Sequence, residues 1–159
     1  MLLGIAREQR QLARQVLDVV HHERDAAVKL VEPQRLAESI LARLLGKIAG
    51  ELAADHLSSK GFKEYAFYGL SGVEYSNVRF KGFSTRLASA GFHCISFLSK
   101  PTFGLGGNRW HKQHRALATW LRSLPTPCGL FAVSDYRARQ VLDACRQAEL
   151  QVPTQIAVI

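Results

Sequence analysis

The last third of the chain, RALATWLRSLPTPCGLFAVSDYRARQVLDACRQAELQVPTQIAVI (115–159), reads as helix, strand, helix and strand without interruption. Leu117, Trp120, Leu121 and Leu124 recur at i, i+3, i+4 and i+7 until Pro125 and Pro127 stop the helix. GLFAVS (129–134) is a short apolar strand, the segment from Asp135 turns Ala138, Val141, Leu142 and Cys145 inward, and IAVI (156–159) is a strand again. Alternation of this kind constrains the fold sharply, because strands joined by helices of about ten to fifteen residues must lie parallel.

The same grammar extends upstream. YAFYGL (65–70) and HCISFL (93–98) are further apolar strands. Between them a helix from about Ser76 faces Phe80, Phe83 and Leu87 inward and closes at Gly91. A loop over 99–109 and a helix from 111 complete the second unit. The expectation is an α/β fold, a parallel sheet with helices on both faces, joined by right-handed crossovers.

Before residue 58 the period is helical only. Ile5, Leu12, Val16, Leu17, Val20 and Val28 form one stripe, ended by Pro33, and Leu36, Ile40, Leu44, Ile48, Leu52 and Leu57 form another, ended by SSKG (58–61). Gly46 and Gly50 are expected to weaken that second helix by about 1 kcal/mol each relative to Ala. The boundary this pattern marks is near 58–62, where helix-only sequence gives way to alternating elements, and residues 1–45 are a helical segment of unassigned role.

Composition narrows the partners. Against 21 Lys+Arg stand 13 Asp+Glu, a net charge of +8 spread along the chain rather than gathered into a basic block, and no reading element for nucleic acid is evident. Three cysteines without C-x-x-C spacing argue against a disulfide framework or zinc site and fit a reducing cytoplasm. The opening MLLGIAREQR has too short an apolar run for a signal core, and no stretch reaches the roughly 20 residues of a membrane span.

In a parallel sheet, ligands lie at the carboxyl ends of the strands. That rule selects Ser71, Glu74, Tyr75, Ser76 and Arg79 after the first strand, Asn108, Arg109 and Trp110 after the second, and Ser134, Asp135 and Arg137 after the third. A guanidinium, an aromatic plate and short polar groups suit a sugar, which offers an apolar ring face and a belt of hydroxyls. Ser76, Ser134 and Asp135 stand equally at helix starts, where capping is the competing account. His111 and His114 share a helix face without a third metal ligand, so the histidines are read as solvent-facing. GLGGN (104–108) lacks the third glycine of a dinucleotide loop and reads as a mobile loop. Nothing in the pattern marks catalytic residues, a metal or a cofactor, and an enzyme is not expected.

The segments YAFYGL, SNVRFKGF and FAVSDYRARQVLDAC…VPTQIAVI resemble the effector-binding core of LacI/GalR-type regulators. They are more similar still to the version found in xylose-operon activators, the XylR group, where this sensor precedes an AraC-type DNA-binding domain. The resemblance spans about residues 46–159. It implies one lobe of a periplasmic-binding-protein-like sensor that responds to a pentose, D-xylose first, in a regulator that acts on operator DNA as a homodimer. It carries Arg79 over as the arginine on sugar hydroxyls, Trp110 as a ring-stacking aromatic and Asp135, after Ser134, as the acidic residue of an (N/T)D step; Ser76 joins them as a polar lining residue. The acidic turn expected after AVI and the DNA-binding domain do not follow Ile159, so the chain is expected to be a fragment, a half-pocket that meets DNA only through a domain it lacks. The alternative is a non-sensing interaction module built on the amphipathic N-terminal helices.

Overall fold

The structure, a computed structural model, describes residues 34–101 and 107–159, with the backbone alone for 107–110. The chain divides into two compact units, Met1–Leu41 and Ala42–Ile159. The expected stripe over residues 5–28 and the segment 102–106 lie outside the described residues. Residues 34–59 are helical (α1), ending at the Lys60-Gly61 turn where Gly61 takes φ of 87°.

Then follow β1 (Glu64–Leu70), α2 (Glu74–Ser89), β2 (Cys94–Ser99), α3 (Gly107–Arg122), β3 (Cys128–Ala132), α4 (Asp135–Gln147) and β4 (Ile156–Val158). All strand pairs are parallel and the order across the sheet is β2-β1-β3-β4. Tyr65 pairs with Cys94 on one side and Gly129 on the other, and Cys128 pairs with Ile156.

Central β1 is buried on both faces from Tyr65 to Leu70, which is why YAFYGL is an unbroken apolar run. Tyr65 and Phe67 point to one side, where Ala53, Ala54 and Leu57 of α1 and Phe83 and Leu87 of α2 meet them. Ala66 and Tyr68 point to the other, against Leu117 and Leu121 of α3 and Val141, Ala144 and Cys145 of α4. Each fully buried Leu or Phe contributes roughly 1.5–3 kcal/mol of transfer free energy. The sheet is therefore covered on both faces, as expected.

Several boundaries differ from the sequence reading. Helix α2 starts at Glu74, its N-cap being Val73 in an extended conformation. Helix α3 starts at Gly107 rather than 111, and β3 ends at Ala132 rather than 134. Val133 is fully buried but has left the β ladder; its amide still donates to the Tyr68 carbonyl at 2.9 Å. An apolar residue that packs like strand without pairing like strand misleads any period-based boundary.

The helix glycines also act differently from the expectation. A Cβ on Gly50 would collide with the Arg79 carbonyl and sit 2.7 Å from the Phe83 amide, and one on Gly82 would collide with the Lys47 carbonyl. Gly50 and Gly82 thus let α1 and α2 touch backbone to backbone, and the packing offsets their low helix propensity. On α1, Leu44, Leu45, Ile48 and Leu52 are exposed.

Candidate functional site

The strand order reverses between β1 and β3. The chain leaves β1 through α2 on one face to reach β2, then crosses back through α3 on the other face to β3. The loops after β1 and β3 therefore part in opposite directions and open a crevice at the carboxyl edge, the place where such sheets take ligands.

Arg79 lies at this crevice. From the second turn of α2 its Nη1 donates to the carbonyl of Val133, two residues before Asp135. Its guanidinium stands 5.7 Å from the centre of the Tyr75 ring, within reach of a cation–π contact. Its Nε is buried and has no hydrogen-bond partner among the described residues. A guanidinium has five donors, and a buried one left over is a standing demand for an acceptor such as a hydroxyl.

Ser134 takes the N-cap position of α4 in extended conformation, but its side chain makes no capping bond and is half-exposed. Its hydroxyl is thus not committed to the helix. Asp135 opens α4 and is exposed, a place where a carboxylate is favoured by the unpaired amides of the first turn. Arg79, Ser134 and Asp135 are brought to one edge by the reversal.

Ser76 is placed differently. It is fully buried, and its Oγ accepts the Leu70 amide at 2.8 Å, so its hydroxyl ties α2 to the end of β1. A methyl at Gly69 would meet that Oγ and the Phe67 ring, which shows how closely the helix is drawn to the strand. Trp110 falls in the first turn of α3, and its side chain lies outside the described residues.

Arg137 turns away from solvent. Only 4% exposed, it donates from Nη1 to Gln140 Oε1 at 2.6 Å and to the Tyr68 hydroxyl at 3.4 Å, and Tyr68 donates to the same Gln140 oxygen at 3.1 Å. Its charge lies near the rings of Tyr68 and Tyr136. Gln140 and Tyr68 were not among the candidate residues. The available signal was the i, i+3 spacing of Arg137 and Gln140 on one helix face. Beside this network a cavity of about 10 Å³, the size of one water, is lined by Tyr68, Gln113, His114, Leu117 and Gln140.

His114 Nδ1 lies 2.8 Å from Gln147 Oε1, which ties α3 to α4. Among the described residues no group of three or more His, Cys, Asp or Glu is arranged to hold a metal ion, and no helix is long and apolar enough to cross a membrane.

A parallel sheet with its crevice at such a reversal is the architecture of one lobe of the two-lobed ligand receptors. Residues 54–159 match the family described as a periplasmic binding protein-like domain, and the chain belongs to that family. Over 112 residues it is 33% identical to the xylose operon regulatory protein of Escherichia coli K12, and over 114 residues 32% identical to that of Haemophilus influenzae. Each alignment takes in 69% of this chain and 28% of the relative, so the chain spans little more than a quarter of the curated relatives' length. The solved structure of a xylose-binding transcription activator, xylR, superposes with a TM-score of 0.64 at 32% identity, covering 72% of this chain and 30% of that one. A LacI-family regulator from Corynebacterium glutamicum shares the fold, with a TM-score of 0.59 at 23% identity, covering 71% and 41%.

Proposed function

We propose that this chain is the sugar-sensing part of a transcriptional regulator, with D-xylose as its effector and no catalytic activity of its own. The observation that carries the reading is Arg79: anchored by one N–H on Val133 at the strand reversal, it keeps a buried Nε donor without an acceptor among the described residues, beside Tyr75. A pentose hydroxyl supplies that acceptor. Asp135 and Ser134, at the head of α4, accept hydrogen bonds from sugar hydroxyls on the other side, and the family resemblance assigns ring stacking to Trp110. Ser76 holds the floor by fixing the end of β1. The xylose regulators and the xylose-binding activator among the relatives support the choice of sugar.

Sensing in such receptors comes from closure of two lobes over the ligand, which converts sugar binding into a change of subunit geometry. In this reading the crevice is one wall of that site, the effector core acts in the cytoplasm as a dimer, and operator contact belongs to a separate DNA-binding domain.

Calorimetric titration of the folded protein with D-xylose, L-arabinose and D-glucose at millimolar concentration tests the proposal. Heat is expected with D-xylose, weaker heat with the others, and loss of both on Arg79→Met. Absence of heat with every sugar on protein shown to be folded overturns it.

A further inference from the structure

Helices α1 and α2 lie side by side and run in the same direction, with Arg43 paired to Glu74 at 3.0 Å near one end and Asp55 to Arg86 at 2.6 Å near the other. Both pairs are exposed and contribute little to holding the helices together. Glycine sets the spacing instead. Gly50 is buried, and a Cβ there would collide with the Arg79 carbonyl and lie 2.7 Å from the Phe83 amide nitrogen. One turn earlier, a Cβ on Gly46 would come to 3.9 Å from Arg79 Cγ. Helix α1 therefore meets Arg79 from behind, on its main chain at Gly50 and on its stem at Gly46.

The far end of the same side chain donates to the Val133 carbonyl at the crevice. Arg79 is thus held at both ends, by α1 behind its backbone and by the chain leaving β3 at its guanidinium. A binding group has to be placed to within about 0.5 Å to do its work. A methyl on Gly50 would have to retreat from the Phe83 nitrogen to the roughly 3.5 Å of ordinary contact. Both obstacles are main chain of α2, so the turn that carries Arg79 must move by more than that tolerance.

We infer that Gly50 is a positioning residue of the sugar site: its bare backbone lets α2 sit close enough to α1 for Arg79 to reach Val133 and keep its Nε at the crevice. The inference rests on the sensing reading, because it gives Gly50 a part in binding as well as in packing. Gly82 makes the other close approach between the two helices, but its nearest neighbours are all backbone atoms of Lys47. Its part is packing alone.

The test reads the arginine directly. Nitrogen-15 NMR of the folded full chain is expected to show the Nη protons of Arg79 and Arg137 resolved by slowed rotation, each guanidinium held on its acceptor. Arg79→Met and Arg137→Met assign the signals. In Gly50→Ala the Arg79 signals should collapse to the averaged position of an exposed arginine, while those of Arg137 stay resolved. Calorimetry on the same samples should show D-xylose binding weakened at least about threefold, in the direction of Arg79→Met. Leu87→Val, a core change two turns further along α2, should lower the melting temperature and leave both readouts as in the parent. Averaged Arg79 signals in the parent overturn the inference, as does either readout unchanged in Gly50→Ala or equal losses in Leu87→Val. A Gly50→Ala chain that does not fold overturns it too, since the contact would then serve packing alone. No heat with any sugar in the parent overturns the sensing reading and takes this inference with it; the two failures are told apart because the arginine signals need no sugar.

Discussion

Arg79 of α2 donates its guanidinium N–H to the main-chain carbonyl of Val133, joining the helix that leaves β1 to the chain that leaves β3. These are the two elements that part at the strand reversal, so the bond spans the floor of the crevice. Removing it affects stability and binding separately. Arg79→Met is expected to cost about 1 kcal/mol of stability, the value of one hydrogen bond net of solvation. D-xylose affinity is expected to fall at least about tenfold, a loss of about 1.4 kcal/mol. Arg79→Lys keeps a charge without the planar fork, and should recover more stability than affinity. Urea unfolding and calorimetry on the same samples separate the two effects.

The glycines between α1 and α2 make a graded series. Gly50→Ala places a methyl against the Arg79 carbonyl and Phe83 amide, and Gly82→Ala places one against Lys47 backbone. Both collisions are with main chain, which cannot rotate away. Helix propensity alone would credit each change with about 1 kcal/mol of stabilisation. The expected outcome is the reverse, a loss of about 1–3 kcal/mol as the helices are forced apart. Gly46→Ala meets side chains and no main chain, the nearest atom being Val78 Cγ1 at 3.2 Å, and should be near neutral. Thermal melts of the three variants check the order.

This series also marks where the sequence was legible. Element order, parallel pairing and two covered faces follow from alternating apolar periods, which depend on near neighbours along the chain. The rest depends on partners far away in sequence. Gly50 looks like a weak point in a helix until Arg79 and Phe83 are seen against it. Val133 reads as strand because it is apolar and follows LFA, although β3 ends at Ala132 and Val133 keeps only its amide bond to Tyr68. Arg79 and Asp135 were legible because the strand-end rule selects them. That Arg79 binds Val133, and that Ser76 holds Leu70 rather than facing the crevice, needed the fold. Arg137 satisfies the same rule as Asp135, yet helical geometry turns it inward.

Arg137 carries a charge into the interior with neutral acceptors only; among the described residues no carboxylate lies within ion-pair distance. It also sits in the first turn of α4, where the helix dipole disfavours a cation. Replacing a buried charge with a well-packed apolar chain is often neutral or stabilising. Arg137→Met is therefore expected to hold or raise the melting temperature, because Tyr68 and Gln140 still bond each other. Gln140→Ala has the opposite sign. It strands the guanidinium without its 2.6 Å acceptor and should cost about 2–3 kcal/mol. Denaturant midpoints for both variants check the contrast.

The cysteines set an alkaline limit. Burial, with a smaller push from the charge of Glu64, raises the Cys128 thiol to about 12. Burial, then Cys128, raises Cys94 to about 12, and burial raises Cys145 to about 11. In the unfolded chain a thiol titrates near its ordinary value of 9.0. Below that pH both states are protonated and the thiols contribute nothing to the pH dependence. As pH rises from about 9 towards 12 the unfolded chain loses thiol protons while the folded one keeps them, so stability must fall with pH across that window. The thiol share is read by difference between parent and variant. Cys128→Val, close in volume at a fully buried site, should show a shallower loss of urea midpoint between pH 8 and 11 than the parent. At pH 8 the same burial should leave Cys128 unreactive to a disulfide reagent until the protein unfolds. Equal slopes in parent and variant, or fast labelling of Cys128 in the folded state, would show that the thiol is not held in the protonated form by the core.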